Sequence, residues 1–218
     1  MVQLNLKARE MSLKIVYYGP ALSGKTTNLQ QIHLGLEEDM RGRLMSLDTK
    51  NDRTLFFDLL PVKFETKSGF TVKLKLFTVP GQVIHNSTRK LVLQGADAVA
   101  FIADSQVDQW KNNLESFRNL RENLKINGFD PDAVPLVVQF NKRDLPDVID
   151  IEQVKKVWEK KGVPIYPASA LNRDGVLETL GCLIELTFAS LDKKHNLQDK
   201  FGIKADEFLV KIMGTLKK

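Results

Sequence analysis

A glycine-rich stretch near the N-terminus has the residue types and spacing of a phosphate-binding loop. Gly19 is followed, after four residues, by Gly24-Lys25-Thr26. In such a loop the backbone N–H groups and the N-terminus of the next helix face the phosphates, and a glycine lets the backbone approach them closely. A lysine adds a point charge at the β- and γ-phosphates, and a threonine hydroxyl ligates Mg²⁺.

The residues around this loop favour a nucleoside-triphosphate site over a glycine turn that merely caps a helix. A short apolar run, residues 13–18, precedes the loop, and a segment of helical character follows it, which is the expected setting of a P-loop. The residues predicted to bind the phosphates are Gly19, Ala21, Leu22, Ser23, Gly24, Lys25, Thr26 and Thr27.

A second motif, Asn141-Lys142-Arg143-Asp144, predicts that the base is guanine. Asp144 can accept two hydrogen bonds from the N1–H and 2-amino groups of guanine, whereas adenine would leave the carboxylate unpaired. Asn141 is expected to face the O6/N7 edge, and the stem of Lys142 is expected to lie along the base plane. The N–H of Ala170 is expected at guanine O6. The predicted base-binding residues are Asn141, Lys142, Asp144, Ser169, Ala170 and Leu171.

A third motif, residues 78–82 (TVPGQ), lies between the other two and predicts hydrolysis of the nucleotide. Gly81 can give its N–H to the γ-phosphate, and Gln82 can orient the attacking water. Most small GTPases have aspartate where Thr78 stands, to hold a Mg²⁺-bound water, so a neutral hydroxyl predicts weaker help for the metal. A nucleotide kinase is disfavoured because the sequence has no Arg-rich lid and such an enzyme would not explain Asn141 to Asp144.

The polar loop that contains Arg53-Thr54 is where a GTPase places its first switch. Thr54 is a candidate to close over Mg²⁺ and the γ-phosphate, so Thr26 and Thr54 are the predicted metal ligands. Arg53 is a candidate arginine finger within the same chain. From the residue alone, a solvated surface arginine is the commoner explanation. The predicted catalytic residues are Arg53, Thr54 and Gln82.

Strands alternate with helices along the chain, which predicts a three-layer α/β fold with a mostly parallel sheet flanked by helices. Apolar residues spaced by three and four indicate helices, and continuous or alternating apolar runs indicate strands. Helices are predicted over 25–37, 87–94, 109–127, 151–160 and 176–191, and strands over 13–18, 44–47, 62–66, 70–79, 96–103, 134–140 and 163–166.

The composition is that of an ordinary globular protein, with 43% hydrophobic and 27% charged residues and a net charge of +5. That charge, without a basic stripe, does not indicate nucleic-acid binding. A single cysteine, Cys182, excludes an internal disulfide and agrees with a reducing compartment. The N-terminus lacks the apolar core of a signal peptide, and the longest apolar run, residues 98–103, is too short to span a bilayer. A cytoplasmic protein without a transmembrane segment is expected.

The last part of the chain differs from the rest and suggests two regions, a domain over 1–191 and a basic extension over 192–218. The extension has seven lysines against four acidic residues. Apolar residues at 208, 209, 212, 213 and 216 predict an amphipathic helix. Packing of this helix against the domain is the favoured interpretation. The alternative is docking to a partner or peripheral contact with an anionic membrane surface.

Taken together, several segments resemble one known family, the bacterial gliding-motility Ras-like GTPases of the MglA type, which set cell polarity. The segments are KIVYYGPALSGKTTNL, DRTLFFD, TVPGQV, RKLVLQGAD, FIADS and NKRDLP, and the resemblance covers residues 1 to about 190. It implies a small-GTPase fold that uses GTP, GDP and Mg²⁺, in which the first switch and the second strand shift register between the GDP and GTP states. It also implies an arginine finger and a glutamine within the chain, which match Arg53 and Gln82 and reverse the preference for a solvated Arg53.

The resemblance also implies partners and a biological role. Members work with a dimeric activating protein of the Roadblock/LC7 (MglB) type, which repositions the switch, and the GTP form binds response-regulator or motility-machinery effectors at a cell pole. The expected function is a slow GTP-hydrolysing switch that a partner stimulates. The alternative is a GTP-locked binding module that barely hydrolyses, because Ala21 replaces the family's usual glycine and Thr78 replaces aspartate.

Overall fold

The computed structural model describes residues 2–47, 57–82, 85–159, 162–204 and 207. Within these residues eight strands form one mixed sheet, in which β2 to β8 follow the order β3-β4-β5-β2-β6-β7-β8 and β1 pairs with β2. The strands are β1 (Gln3–Asn5), β2 (Glu10–Tyr18), β3 (Met45–Leu47), β4 (Phe57–Glu65), β5 (Thr71–Thr78), β6 (Ala98–Asp104), β7 (Leu136–Asn141) and β8 (Ile165–Pro167).

Five neighbouring strands, β5, β2, β6, β7 and β8, are parallel, whereas β1, β3 and β4 pair antiparallel. Parallel strands bring their carboxyl ends to one edge of a sheet, where ligands of such folds bind. The phosphate loop follows β2, the 78–82 segment follows β5 and the Asn141 motif follows β7. All three predicted motifs therefore meet at the same edge.

Helices cover both faces of the sheet, as predicted for a three-layer fold. They are α1 (Lys25–Gly35), α2 (Asn86–Leu93), α3 (Trp110–Ile126), α4 (Ile151–Glu159), α5 (Val176–His195) and α6 (Leu197–Phe201). Buried residues of α1, α5 and α6 pack in one hydrophobic cluster, and those of α2, α3 and α4 pack in another. The strand β6 is buried at every position because helices cover it on both sides. Among the described residues, no helix combines the length and apolar character needed to cross a membrane.

Two elements depart from the sequence-based expectation. The N-terminal residues, for which no strand was expected, form β1 and extend β2 back to Glu10. The strand β4 begins at Phe57 instead of residue 62 and continues through Pro61. Proline is tolerated there because β3 pairs only with residues 57–59 of β4, so the missing N–H of Pro61 falls beyond the end of β3.

The described part of the C-terminal extension packs against the domain. The helix α5 runs through residue 191 to His195, and Leu197 and Ile203 are fully buried. Phe201 lies 5.8 Å from Phe70, measured between ring centroids. The Glu207 carboxylate accepts a hydrogen bond of 2.7 Å from the backbone N–H of Lys67. The amphipathic helix predicted over residues 208–216 lies outside the described residues, and a division at residue 191 stays a prediction.

We expect Ile203→Ala to lower the free energy of unfolding by about 2–4 kcal/mol, because Ile203 is fully buried in the hydrophobic cluster that includes α1 and α5, and the truncation leaves a cavity there. For a chain of this size the melting temperature should fall by roughly 5–15 °C, as measured by calorimetry. The neighbouring exposed residue provides the control, since Lys204→Ala should leave the melting temperature unchanged. Equal melting temperatures for the two variants would show that this segment does not belong to the core.

Candidate nucleotide-binding site

A cavity of about 640 Å³ lies at the carboxyl edge of the parallel strands. Three segments line it, namely residues 21, 22 and 24–27 of the glycine loop, the start of β4 and residues 78–82, together with Ser46 and His85. A cavity of this size suits a nucleotide-sized ligand. It collects the predicted phosphate loop and the predicted hydrolytic motif in one place.

The glycine loop joins β2 directly to α1, and its backbone shape depends on Gly24. Gly24 has φ 94°, and a Cβ atom there would lie 2.1 Å from the Nδ2 atom of Asn141. Only glycine fits a position that combines this conformation with such close approach. Asn28 Nδ2 donates a hydrogen bond of 2.9 Å to the Gly24 carbonyl and ties the loop to α1. Leu22 also has a positive φ and is exposed, so any contact with phosphate would come from its backbone.

Lys25 lies buried across the inside of the glycine loop. Its Nζ atom donates hydrogen bonds to the carbonyl oxygens of Gly19, at 3.1 Å, and Pro20, at 2.5 Å. The pKa of Lys25 is lowered to about 7, chiefly by burial and also by the charge of Arg89, while the charge of Asp58 acts in the opposite direction. Because burial makes the charged form of Lys25 energetically unfavourable, an anion beside the ammonium would stabilise it.

Thr26, the predicted metal ligand, is bonded to a carboxylate from another strand. Its Oγ1 atom donates a hydrogen bond of 2.6 Å to Oδ2 of Asp58 in β4. Thr78 Oγ1 donates to the same oxygen at 2.8 Å and accepts a bond of 2.9 Å from the Asp58 N–H. Ser46 Oγ donates to the other carboxylate oxygen at 2.6 Å. Sequence reasoning missed Asp58, although a single carboxylate within the apolar run TLFFDLL was a signal.

The turn that follows β5 packs directly on the glycine loop. A Cβ atom at Gly81 would lie 2.2 Å from the Cα atom of Ala21, so this position requires glycine. Arg89, which is 2% exposed, donates hydrogen bonds to the carbonyls of Pro80, at 2.9 Å, and Gly81. Gln82 follows as an exposed side chain at the wall of the cavity. Sequence reasoning also missed Arg89, whose contacts join α2 to this turn.

Asn141 joins the glycine loop to the loop after β8 through its side-chain amide. Its Nδ2 atom donates a hydrogen bond of 2.8 Å to the Ser23 carbonyl, and its Oδ1 atom accepts one of 2.8 Å from the N–H of Ala170. The side chain is buried. It therefore braces the glycine loop against the loop that follows β8. The contacts predicted for Asn141 and Ala170 with a guanine edge stay predictions.

The other two residues of the Asn141 motif are also held in place. The Lys142 ammonium lies 2.7 Å from the carboxylate of Asp104, a buried residue at the end of β6, so its stem is fixed. Ser169 Oγ donates a hydrogen bond of 2.5 Å to Asp144, which is exposed. The neighbouring Leu171 is exposed in a short 3-10 helix, Ala170–Asn172. This arrangement leaves the Asp144 carboxylate oriented at the surface, as hydrogen bonding to a base requires.

The structure places most of the predicted phosphate-loop residues, with Gly81 and Gln82, around one cavity. Asn141 and Ala170 adjoin the glycine loop through hydrogen bonds, whereas Lys142, Asp144 and Leu171 are not among the residues that line that cavity. Arg53 and Thr54, predicted as a finger and a metal ligand, lie outside the described residues. In the described part of the chain, no group of three or more His, Cys, Asp or Glu residues could hold a metal ion. The hydroxyl of Thr26 and the nearby carboxylate of Asp58 are instead oxygen ligands of the kind that Mg²⁺ prefers.

Comparison with known proteins agrees with this geometry. The model of the ADP-ribosylation factor family matches residues 1–187. The Mutual gliding-motility protein MglA of Myxococcus xanthus (strain DK1622) is 45% identical over 190 residues, which is 87% of this chain and 97% of that protein. The Ras-related protein Rab-5B of Plasmodium falciparum (isolate 3D7) is 29% identical over 177 residues, 80% of this chain and 77% of that protein.

These matches confirm the predicted family, the predicted fold class and the predicted GTPase activity. The family binds GTP and GDP, which accounts for a phosphate loop and an Asn141 motif at one edge of the sheet. The chain belongs to the ADP-ribosylation factor family of Ras-like small GTPases, as an MglA-type member that hydrolyses GTP.

Proposed function

We propose that this protein is a Mg²⁺-dependent GTP switch that controls cell polarity in gliding motility. The observation that carries the proposal is the 45% identity with a gliding-motility protein over 97% of that protein's length. Two observations support it: the glycine loop and residues 78–82 line one cavity, and Asn141 is hydrogen-bonded to the glycine loop. In the GTP state the protein would bind its effectors, and hydrolysis to GDP would release them.

The residues of the cavity fit Mg²⁺ and a triphosphate. Bound in this cavity, Mg²⁺ would supply positive charge that offsets the negative charge developing on the phosphates during transfer. Thr26, exposed at the start of α1, and Thr54 are its proposed protein ligands. Lys25 would turn from the loop carbonyls to the phosphate oxygens, and the backbone N–H groups of residues 21–27 would cradle them.

Hydrolysis would depend on the turn after β5 and on the first switch. Gly81, whose backbone lies against Ala21, would give its N–H to the γ-phosphate, and Gln82 would orient the attacking water. Arg53 would stabilise the charge on the transferring phosphoryl group. These roles require the first switch to close over the nucleotide. The intrinsic rate of GTP hydrolysis should therefore be low, and a partner that repositions the switch should raise it.

A dimeric protein of the Roadblock/LC7 type is the proposed activating partner, and response-regulator or motility-machinery proteins at a cell pole are the proposed effectors. Surface plasmon resonance with an immobilised Roadblock-type dimer tests this part. Binding should be at least about tenfold tighter with a non-hydrolysable GTP analogue than with GDP, since a switch needs a differential affinity of that order. Equal affinity for the two forms would contradict the proposal.

The GTP-locked binding module is less favoured because the family hydrolyses GTP. Although Thr78 replaces the usual aspartate, the site still contains a carboxylate, because Asp58 lies within hydrogen-bonding distance of Thr78. The extension over 192–218 is proposed as a separate region. Its described part packs on the domain. For the helix predicted over residues 208–216, packing against the domain stays the favoured proposal, and contact with a partner or an anionic membrane surface is the alternative.

We expect nucleotide binding near pH 8 to take up about one proton, because the pKa of Lys25, lowered to about 7 by burial, rises when phosphate oxygens surround the ammonium. Affinity for GDP should therefore fall as the pH rises above about 7. Calorimetric titration in two buffers of different ionisation enthalpy measures the uptake. Near pH 6 the lysine is already protonated and uptake through it should vanish. Identical heats in both buffers near pH 8 would show that Lys25 does not titrate on binding.

A further inference from the structure

We infer that Asp58 supplies the metal-site carboxylate that Thr78 cannot provide. This assignment rests on the proposed Mg²⁺-dependent function, and it gives the metal site a residue from β4 instead of one from the end of β5. In most small GTPases the carboxylate belongs to the residue at position 78. Here that position is a hydroxyl, and a carboxylate reaches the same place from the neighbouring strand.

The hydrogen bonds of Thr26 carry the inference. Thr26 Oγ1 donates its proton to Asp58 Oδ2 at 2.6 Å. A hydroxyl group has one proton and two lone pairs, so a hydroxyl that gives its proton to a carboxylate keeps its lone pairs for a cation. Acceptors of this kind, placed behind a ligand, orient it and raise its basicity. Asp58 therefore prepares Thr26 as a metal ligand.

Thr78 does not take the place of a metal-site carboxylate; it orients the carboxylate of Asp58. Its hydroxyl donates to Asp58 Oδ2 at 2.8 Å and accepts the Asp58 N–H at 2.9 Å. The antiparallel pairing of β4 with β5 places these two residues side by side at the strand ends. The exchange of aspartate for threonine at position 78 thus creates the hydroxyl that orients a carboxylate from β4.

The second oxygen of the carboxylate is fixed as well. Ser46 is the cross-strand partner of Asp58 in the β3–β4 pair, and its Oγ atom donates to Asp58 Oδ1 at 2.6 Å. Asp58 is 8% exposed. A carboxylate buried among hydroxyl groups carries a negative charge that a nearby cation would compensate. Both the Lys25 ammonium and a divalent ion at Thr26 would serve that purpose.

In the opposite role, as a plug, the Asp58 carboxylate itself occupies the metal position, and Mg²⁺ must displace it in order to bind. The two roles predict opposite effects of Asp58→Asn on Mg²⁺ affinity. If Asp58 supports the metal, the variant should bind Mg²⁺ about 10–100-fold more weakly, the usual cost of removing such a partner. If Asp58 is a plug, the variant should bind Mg²⁺ more tightly.

The test is the Mg²⁺ dependence of GDP release, followed with a fluorescent GDP analogue, and it does not require hydrolysis. The Mg²⁺ concentration that half-maximally slows release should rise about 10–100-fold in Asp58→Asn. Glu65→Gln, an exposed carboxylate at the other end of β4, is the matched control and should behave as wild type. An unchanged or lower Mg²⁺ midpoint in Asp58→Asn would overturn the assignment.

Two further variants make the test sharper. Asp58→Asn combined with Thr78→Asp moves the carboxylate to the position that most small GTPases use and should restore the wild-type Mg²⁺ midpoint. If Asp58→Asn does not fold, Ser46→Ala should still raise the midpoint, because one oxygen of Asp58 loses its hydrogen bond; an unchanged midpoint there would overturn the assignment. A wild-type protein that binds no GDP, or whose GDP release ignores Mg²⁺, would instead refute the proposed function.

Discussion

Arg53→Ala is expected to slow single-turnover GTP hydrolysis by about 10³–10⁵-fold, the usual value of an arginine finger. This factor corresponds to roughly 4–7 kcal/mol of transition-state stabilisation. The affinity for GTP should change little, because the guanidinium acts on charge that develops only during phosphoryl transfer. Rapid-quench measurement of product formation with enzyme in excess separates the chemical step from product release.

The control for this variant is Arg43→Ala, which removes an exposed arginine just before β3. Its hydrolysis rate should match that of wild type within about twofold, since isolated surface charges contribute little. If Arg53→Ala hydrolyses GTP as fast as wild type, the finger must come from elsewhere. If wild type is as slow as Arg53→Ala and Ala21→Gly accelerates hydrolysis, the methyl group of Ala21 blocks the reaction and the chain acts as a long-lived GTP binder.

Asp144→Asn is expected to exchange the preferred base from guanine to xanthine. The Asp144 carboxylate accepts from two donors of guanine, and each bond to a charged group contributes about 1.5–3 kcal/mol, so GTP affinity should fall about 10²–10⁴-fold. An asparagine amide can donate to the 2-oxo group of xanthine, so the affinity for xanthosine triphosphate should rise. Ser169 Oγ can keep its hydrogen bond in both cases, because the amide oxygen also accepts.

Competition between the two nucleotides for the fluorescent GDP analogue measures this exchange. Asp147→Asn is the matched control, because it makes the same chemical change at an exposed residue three positions away. Asp147 has φ 53°, a conformation that asparagine tolerates well. The control should keep the wild-type preference for GTP. If Asp144→Asn still prefers GTP to xanthosine triphosphate, the base does not bind at the Asn141 motif.

The parts of the site that sequence predicted are those encoded by local spacing. The glycine loop and the Asn141 motif each lie within eight consecutive residues, and their strand and helix neighbours follow from hydropathy patterns. Their meeting at one edge follows from the parallel arrangement of β2 and β7 in a single sheet. For this reason the fold class and the position of the site were predictable without coordinates.

The parts that sequence did not predict depend on contacts between distant segments. The bond from Thr26 to Asp58 spans 32 residues and requires the register of β4 against β5. The pair of Lys142 with Asp104 and the bonds of Arg89 to the turn after β5 likewise join separate elements. A shift of one residue in β4 would point Asp58 away from Thr26, so its role could not be deduced from spacing alone.

Release of phosphate from GTP by the wild-type protein, with and without a Roadblock-type dimer, tests the central claim most directly. The account predicts slow hydrolysis of GTP by the protein alone, a faster rate with the dimer and no hydrolysis of ATP. Lys25→Ala should abolish the activity, because it removes the buried ammonium of the glycine loop. Hydrolysis of ATP at a similar rate, or intact GTP in the presence of the dimer, would contradict a GTP-hydrolysing switch.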